Sequence, residues 1–226
     1  MKDNFFTAVY TNEVKDYCDM AFFENLSLIT GEAPVYIVDN TIGTAYHNKL
    51  ENLFLERKYH NFRIGHLDIQ EYPKQSQFQR NVCESGNFLR DIYLNSFSNP
   101  YFLIIESDVI PPQNLLEQLE CAIGELDMTD PGWGMVGGIY YPGFHNYDFD
   151  ARDTFLEKTH HCLSGCTVYK RELIGKYPFR YDPDNLGPFP DAFICYDAGN
   201  EFTFWNDHRI ICDHLHIDGK RMSRNL

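Results

Sequence analysis

The sequence predicts an α/β fold: a single domain over residues 1–226, with a mostly parallel, mixed central sheet flanked by helices. Three observations predict it. Strand-like and helix-like stretches alternate from the amino end. The most apolar strand, Tyr101-Phe102-Leu103-Ile104-Ile105, has no polar face and so reads as buried on both sides. A chain of 226 residues is long enough to bury one substantial core.

Phe5 to Tyr10 is the first strand, and Thr11-Asn12-Glu13 is a polar turn or helix cap. Val14 to Thr30 follows as a helix, with Tyr17, Met20, Ala21, Leu26 and Leu28 on an approximate apolar face and Gly31 as its stop. Pro34 to Val38 is the second strand and ends at Asp39-Asn40. Strand, helix and strand within about 35 residues form a right-handed parallel unit, whose ligands bind beyond the carboxyl ends of the strands. Asn48 to Lys58 reads as a second helix and Phe62 to Leu67 as a short third strand. Ser76 to Asn95 is a helix in which Gly86 is an interior weak point.

After the central strand, Pro111-Pro112 forbids continuation, and a helix from Gln113 to Glu125 carries Leu115, Leu116 and Leu119. Pro131 to Tyr141 is a glycine-punctuated strand, which lets a ligand or a backbone approach closely. Pro142 to Thr159 lacks periodicity and reads as an acceptor-side loop or short hairpin. Cys162 to Tyr169 is a strand, Arg171 to Lys176 a short helix and Tyr181 to Pro190 a turn-rich loop. Asp191 to Asn200 opens a last helix, and Arg209 to Cys212 is a last strand running into Asp213-His214-Leu215-His216.

Composition narrows the partners. With 19 Lys and Arg against 33 Asp and Glu, a net charge of −14 repels polyphosphates and disfavours extended nucleic-acid binding. The nearest basic group, Lys220-Arg221 with Arg224, is sized for a single diphosphate. The 7 cysteines are odd in number and scattered, which fits reduced thiols better than a disulfide framework. The start, Met1-Lys2-Asp3-Asn4, carries no secretory pattern, and no run approaches the roughly 18 apolar residues of a membrane span. A cytoplasmic location is expected.

The chemistry centres on Glu106-Ser107-Asp108, where the most apolar strand runs out. Residues alternate faces along a strand, so Glu106 and Asp108 project to one side and can share a hard cation. Asp39 ends the second strand in the same way.

In the order of these pieces the chain, from Phe5 to about His216, resembles the GT-A glycosyltransferases, especially the family-2-like nucleotide-sugar transferases. The resemblance implies a Rossmann-like nucleotide-diphospho-sugar transferase fold, with a nucleotide-binding half over 1–110 and an acceptor and catalytic half over 111–226. It implies that Thr7, Val9 and Thr11 flank the base, that Asp39 meets base or ribose, and that Arg80-Asn81 is the family's Arg-Asn pair. Its Asp-X-Asp motif falls on Glu106, Ser107 and Asp108, with Glu in first place. Glu106 would then address the ribose and reach the metal through water, while Asp108 binds it directly.

The same resemblance places a metal-binding His after the last strand. His214 is favoured, although spacing alone does not separate it from His216. A divalent ion, Mn²⁺ or Mg²⁺, would neutralise the leaving nucleoside diphosphate, and an imidazole ligand tilts the preference toward Mn²⁺. Gly165 resembles the small residue beneath the donor sugar, Lys220 is a candidate diphosphate contact and Trp133 a candidate acceptor platform. Asp191, in Phe189-Pro190-Asp191, corresponds to the catalytic base, although an Asp at a helix start is also a good N-cap. A carboxylate base implies inversion at the anomeric carbon.

The resulting expectation is an EC 2.4-type transferase, hexosyltransferase-like, that moves a sugar from a UDP-sugar to a hydroxyl. Saccharide, protein and modified-nucleobase acceptors all remain open, as does a homodimer. Three rivals make different demands. A catalytically dead sugar- or nucleotide-binding module has no need of the retained acids. A nucleotidyltransferase of related fold needs a glycine-rich basic loop after the first strand, and Thr11-Asn12-Glu13-Val14-Lys15 is neither. A zinc protein would draw on His160, His161, Cys162 and Cys166, with Cys212 and His214 later, but without a Cys-X-X-Cys spacing.

Overall fold

The structure, a computed structural model, describes residues 2–69, 74–140, 155–162, 165–184, 189–216 and 221–222. Strand β1 (Phe5–Thr11), buried along its whole length, lies between β2 (Val35–Asp39) and β4 (Tyr101–Glu106), parallel to both. Strand β3 (Phe62–His66) extends the parallel set beyond β2. On the other side of β4 come β8 (Cys166–Lys170), antiparallel, then β6 (Trp133–Tyr140) and β9 (Thr203–Leu215), parallel to each other. The sheet path is therefore β3-β2-β1-β4-β8-β6-β9, and the short strands β5 (Val109–Ile110), β7 (Leu156–Thr159) and β10 (Arg221–Met222) all pair with β9. This is the mixed, mostly parallel sheet the sequence predicts.

Alternation along the strands divides the core into two layers. Phe5, Val9, Ile37, Leu103 and Ile105 pack on one face against α1 (Asp19–Thr30), α2 (Ala45–Arg57) and α4 (Leu115–Thr129). Phe6, Ala8, Val38, Phe102 and Ile104 pack on the other against α3 (Lys74–Ser96), α5 (Arg171–Lys176) and α6 (Pro190–Ala198). The expected weak point in α3 has a packing reason: a Cβ at Gly86 would meet the Phe179 ring at 2.8 Å. No described helix is long and apolar enough to cross a membrane.

Three expectations need correction. The helix expected from Val14 begins as a 3-10 turn, Glu13–Cys18, and becomes α-helical only at Asp19. Asn12 caps that turn by accepting from the Val14 N–H, and the Cys18 thiol donates to the carbonyls of Lys15 and Ser107, tying it to the turn after β4. The last strand runs from Thr203 and not from Arg209; its polar centre, Asn206-Asp207-His208, hid it in the sequence, and β7 covers it. Trp133 is fully buried, stacks on Tyr101 and donates its indole N–H to Asp127, so it presents no platform to an acceptor. Most of the segment read as an acceptor-side loop, with Ser164, Lys220 and Arg224, lies outside the described residues.

Candidate active site

The parallel register brings the acidic strand ends into line. Thr11 pairs with Asp39, Tyr10 with Glu106, and Asp39 with His66, so all five stand at one edge of the sheet. After Glu106 the chain turns through Ser107 and Asp108, and β5 then pairs Val109 with His214. The Leu215 N–H donates to the Asp108 carbonyl at 2.8 Å, fixing the end of β9 against the turn. As a result His214 Nε2 lies 3.4 Å from Asp108 Oδ2, and the His216 ring stands 4.7 Å from the His214 ring.

The other oxygens of this group are held by a lysine. Lys15 Nζ lies 2.8 Å from Asp108 Oδ1 and 3.3 Å from Glu106 Oε2, and the Tyr10 hydroxyl donates to Glu106 Oε1 at 2.7 Å. Burial works against charge on Lys15, but Glu106 and Asp108 more than offset it, and the ammonium is held above its usual range. Burial likewise opposes ionisation of Asp108. The His214 hydrogen bond and the Lys15 charge win, bringing it down to about 2.

Next to this cluster, beyond β1 and β2, a cavity of about 270 Å³ is lined by Asn12, Glu13, Val14, Lys15, Asn40, Thr41, Ile42, Phe78 and Asn81. It combines apolar walls with a few polar groups, as small-molecule sites do. Asn40 Oδ1 and Asn81 Oδ1 are buried acceptors without a hydrogen-bond partner among the described residues. A ligand N–H or O–H would satisfy them.

On the far side of β4, the Gly165 carbonyl accepts from the Glu106 N–H at 2.9 Å, which places this small residue against the acidic turn. Asp191, in the first turn of α6, is 4% exposed; its Oδ1 accepts from the Ala192 N–H, and its Oδ2 lies 3.3 Å from His161 Nε2. That contact pushes the His161 imidazolium upward in pKa. Burial pushes the Tyr169 phenol well up, and the nearby Asp191 carboxylate adds to it.

No protein-family profile and no curated protein matches the sequence. Solved structures match its shape. Staphylococcus aureus TarS 1–349 superposes with a TM-score of 0.58 at 14% identity, over 90% of this chain and 60% of that one. The mannosyltransferase PcManGT from Pyrobaculum calidifontis, in complex with GDP-Man and Mn²⁺, gives 0.62 at 15% identity, over 92% and 56%. GalNAc-T7 with UDP, GalNAc and Mn²⁺ gives 0.60 at 9% identity, over 94% and 44%. The fold is GT-A. This chain spans less than two thirds of the length of each of these three proteins.

Within the GT-A frame the expected residues separate into groups. Glu106, Asp108, His214, His216 and Gly165 converge, Thr11 stands at the same edge, and Asn81 lines the cavity. Ser107 is fully buried within the turn, its hydroxyl without a hydrogen-bond partner among the described residues. Arg80 pairs with Glu84 one turn along α3. Thr7 and Val9, expected beside the base, lie in mid-strand at 3% and 0% exposure and belong to the packing of the sheet. Asp39 is also fully buried: its Oδ1 accepts from the Thr41 N–H and its Oδ2 faces His66 Nδ1 at 3.0 Å, so it braces the cavity wall from behind.

The zinc grouping does not assemble. Cys162 and Cys166 lie in the two different core layers; Cys162 donates to the Trp205 carbonyl, Cys166 is a free thiol in the same layer as the free thiol of Cys212, and His214 sits at Asp108. Burial pushes the Cys162 thiol upward, away from the thiolate a metal needs. Sequence reasoning missed Lys15, Tyr10, Asn40 and Phe78, and met His161 only as a possible zinc ligand. Lys15 sits in the 3-10 turn Glu13–Cys18, and nothing local in the sequence marks its distant partners Glu106 and Asp108.

Proposed function

We propose that the chain is a metal-dependent glycosyltransferase that moves a sugar from a nucleoside-diphosphate sugar, of the UDP type, to an acceptor hydroxyl with inversion. The observation that carries this reading is the convergence of Glu106, Asp108 and His214 beside a cavity with unsatisfied polar walls. The donor set fits a divalent ion. Asp108 Oδ2 and His214 Nε2 face each other across 3.4 Å, with His216 Nε2 buried and unpartnered beside them among the described residues. Carboxylate with imidazole suits Mn²⁺ better than Mg²⁺. When bound, such an ion supplies charge to stabilise the departing diphosphate.

The chain's own residues do the rest. Asn40, Asn81 and Thr41 hold the nucleoside in the cavity, with the Phe78 ring at its mouth, and Thr11 and Asp39 fix that wall. Glu106, oriented by Tyr10 and Lys15, takes the ribose. Lys15 and Arg80 bring positive charge to the diphosphate. Gly165 leaves room for the donor sugar beside the acidic turn. Asp191, buried and next to His161, accepts the proton of the acceptor hydroxyl, a role worth roughly 10²- to 10⁴-fold in rate.

The test is release of nucleoside diphosphate from UDP-, GDP- and dTDP-sugars, with and without Mn²⁺. Mn²⁺-dependent release from one donor class, lost in Asp108→Asn, is the expected result. No release from any donor in the presence of Mn²⁺, across saccharide acceptors, contradicts it.

A further inference from the structure

Beneath the cavity wall lies a second group of ligand-type side chains, of which the proposed transfer uses only Asp39, and that only as a brace. Asp39 ends β2, His66 ends β3 directly opposite it in the parallel register, and His47 stands in the first turn of α2. The chain returns from β2 to α2 within a few residues, which brings His47 back over the two strand ends. One ligand atom from each of the three lies within 4.8 Å of the others, and the two imidazole rings are 5.5 Å apart between centroids. Among the described residues this is the one group of three or more such side chains that closes so tightly.

The charge of Asp39 needs an explanation. Its carboxylate is fully buried, and its one ionic partner among the described residues is His66, with no Lys or Arg beside it. A buried carboxylate without a matching cation is costly. The Thr41 N–H and His66 Nδ1 answer for its two oxygens, but neither explains why a second imidazole converges on the same point. Nor does either occupy His47 Nδ1 and His66 Nε2, both buried without a hydrogen-bond partner among the described residues. The nearest acid to His47 on its own helix, Glu51, is 3.7 Å from Nε2. Two imidazoles and one carboxylate form the donor set of a zinc-class ion, with a fourth position left for water.

We infer that Asp39, His47 and His66 bind a zinc-class divalent cation at a site separate from Asp108 and His214. The ion would fix the loop that follows β2. Asp39 Oδ1 holds the Thr41 N–H, and Asn40, Thr41 and Ile42 wall the cavity, so occupancy stiffens the nucleoside side of the site. That consequence rests on the proposed transferase reading; the metal affinity does not.

The experiment uses the full chain, stripped with chelator and titrated with Zn²⁺ against a chromogenic competitor, with Co²⁺ as a spectroscopic substitute. Wild type should take up Zn²⁺ at this site and give Co²⁺ d–d absorption. The tight equivalent of Zn²⁺ should weaken at least about tenfold in His47→Gln and in His66→Gln, yet persist in Asp108→Asn, which loses at most the separate equivalent held with His214. Equal affinity in wild type and His47→Gln, or loss of the tight equivalent in Asp108→Asn alone, overturns the inference. Zinc-edge anomalous diffraction from wild-type crystals settles the question if a variant fails to fold: a peak between Asp39, His47 and His66 supports the site, and a peak only at Asp108 and His214, or none, refutes it. These readouts contain no nucleotide, so their failure leaves the transferase reading standing. Conversely, absence of donor turnover leaves the zinc site standing.

Discussion

Replacing Lys15 by Met removes the ammonium that now balances both acids of the turn. Its Nζ lies 2.8 Å from Asp108 and 3.3 Å from Glu106, and the side chains involved are only 10–14% exposed. At an effective dielectric of about 20 the two attractions are worth ~6 and ~5 kcal/mol before desolvation is subtracted. Removing one partner of such a buried group costs about 3–5 kcal/mol net, because the remaining charges stay buried and face each other. A domain stable by roughly 5–15 kcal/mol tolerates that loss, so the variant can be measured. Urea unfolding in chelator should show the full deficit in Lys15→Met. Mn²⁺ at about one hundred times the variant's Kd should then return about 2.7 kcal/mol, since the carboxylates no longer hold an ammonium, while wild type gains less. A deficit under about 1 kcal/mol, or equal Mn²⁺ stabilisation of both proteins, refutes the account of this cluster.

The remaining predictions concern acid, base and packing. Asp108, at about 2 in the folded chain against about 3.9 unfolded, contributes about 2–3 kcal/mol that is present above the unfolded value and lost as pH falls toward 2; urea midpoints between neutral and acid pH should show this slope in wild type and not in Asp108→Asn. Asp191→Asn should leave donor binding intact and slow transfer about 10²- to 10⁴-fold, so near-normal turnover removes Asp191 from the base role. The Asp191 hydrogen bond raises His161 above the ordinary imidazole range, so below its pKa it is an imidazolium that ties up the carboxylate, and turnover should rise only as pH passes above that ordinary range; in His161→Gln that acid limb should move to lower pH, and an unchanged profile contradicts the pairing. Gly86→Ala should destabilise by roughly 1–3 kcal/mol in thermal or urea unfolding despite the better helix propensity of Ala, because the Phe179 ring occupies the space; a more stable variant would contradict that packing.

What could be read from the sequence follows the range of the interactions. The strands β1, β2 and β4 announce themselves because apolar runs buried on both faces carry their own signal, and the acids that end them mark the sheet edge. Asp191 was legible as an acid in a helix first turn. Lys15 was not, because its partners lie 91 and 93 residues away and a long flexible side chain declares no target. Asp39 was placed correctly at a strand end, but only the register against β3 shows that its carboxylate turns to His66 and Thr41. Thr7 and Val9 failed for the opposite reason: a residue in the middle of a central strand is surrounded by neighbouring strands and helices, and reaches no ligand.

The most direct test of the central claim, that this sheet edge is a cation-dependent site for a nucleoside diphosphate, is calorimetric titration of UDP into the chain with Mn²⁺ and with chelator. The account predicts binding in Mn²⁺ that weakens at least about tenfold in chelator and is lost in Asp108→Asn. Absence of UDP and GDP binding in Mn²⁺, or binding indifferent to both the ion and Asp108, would contradict it.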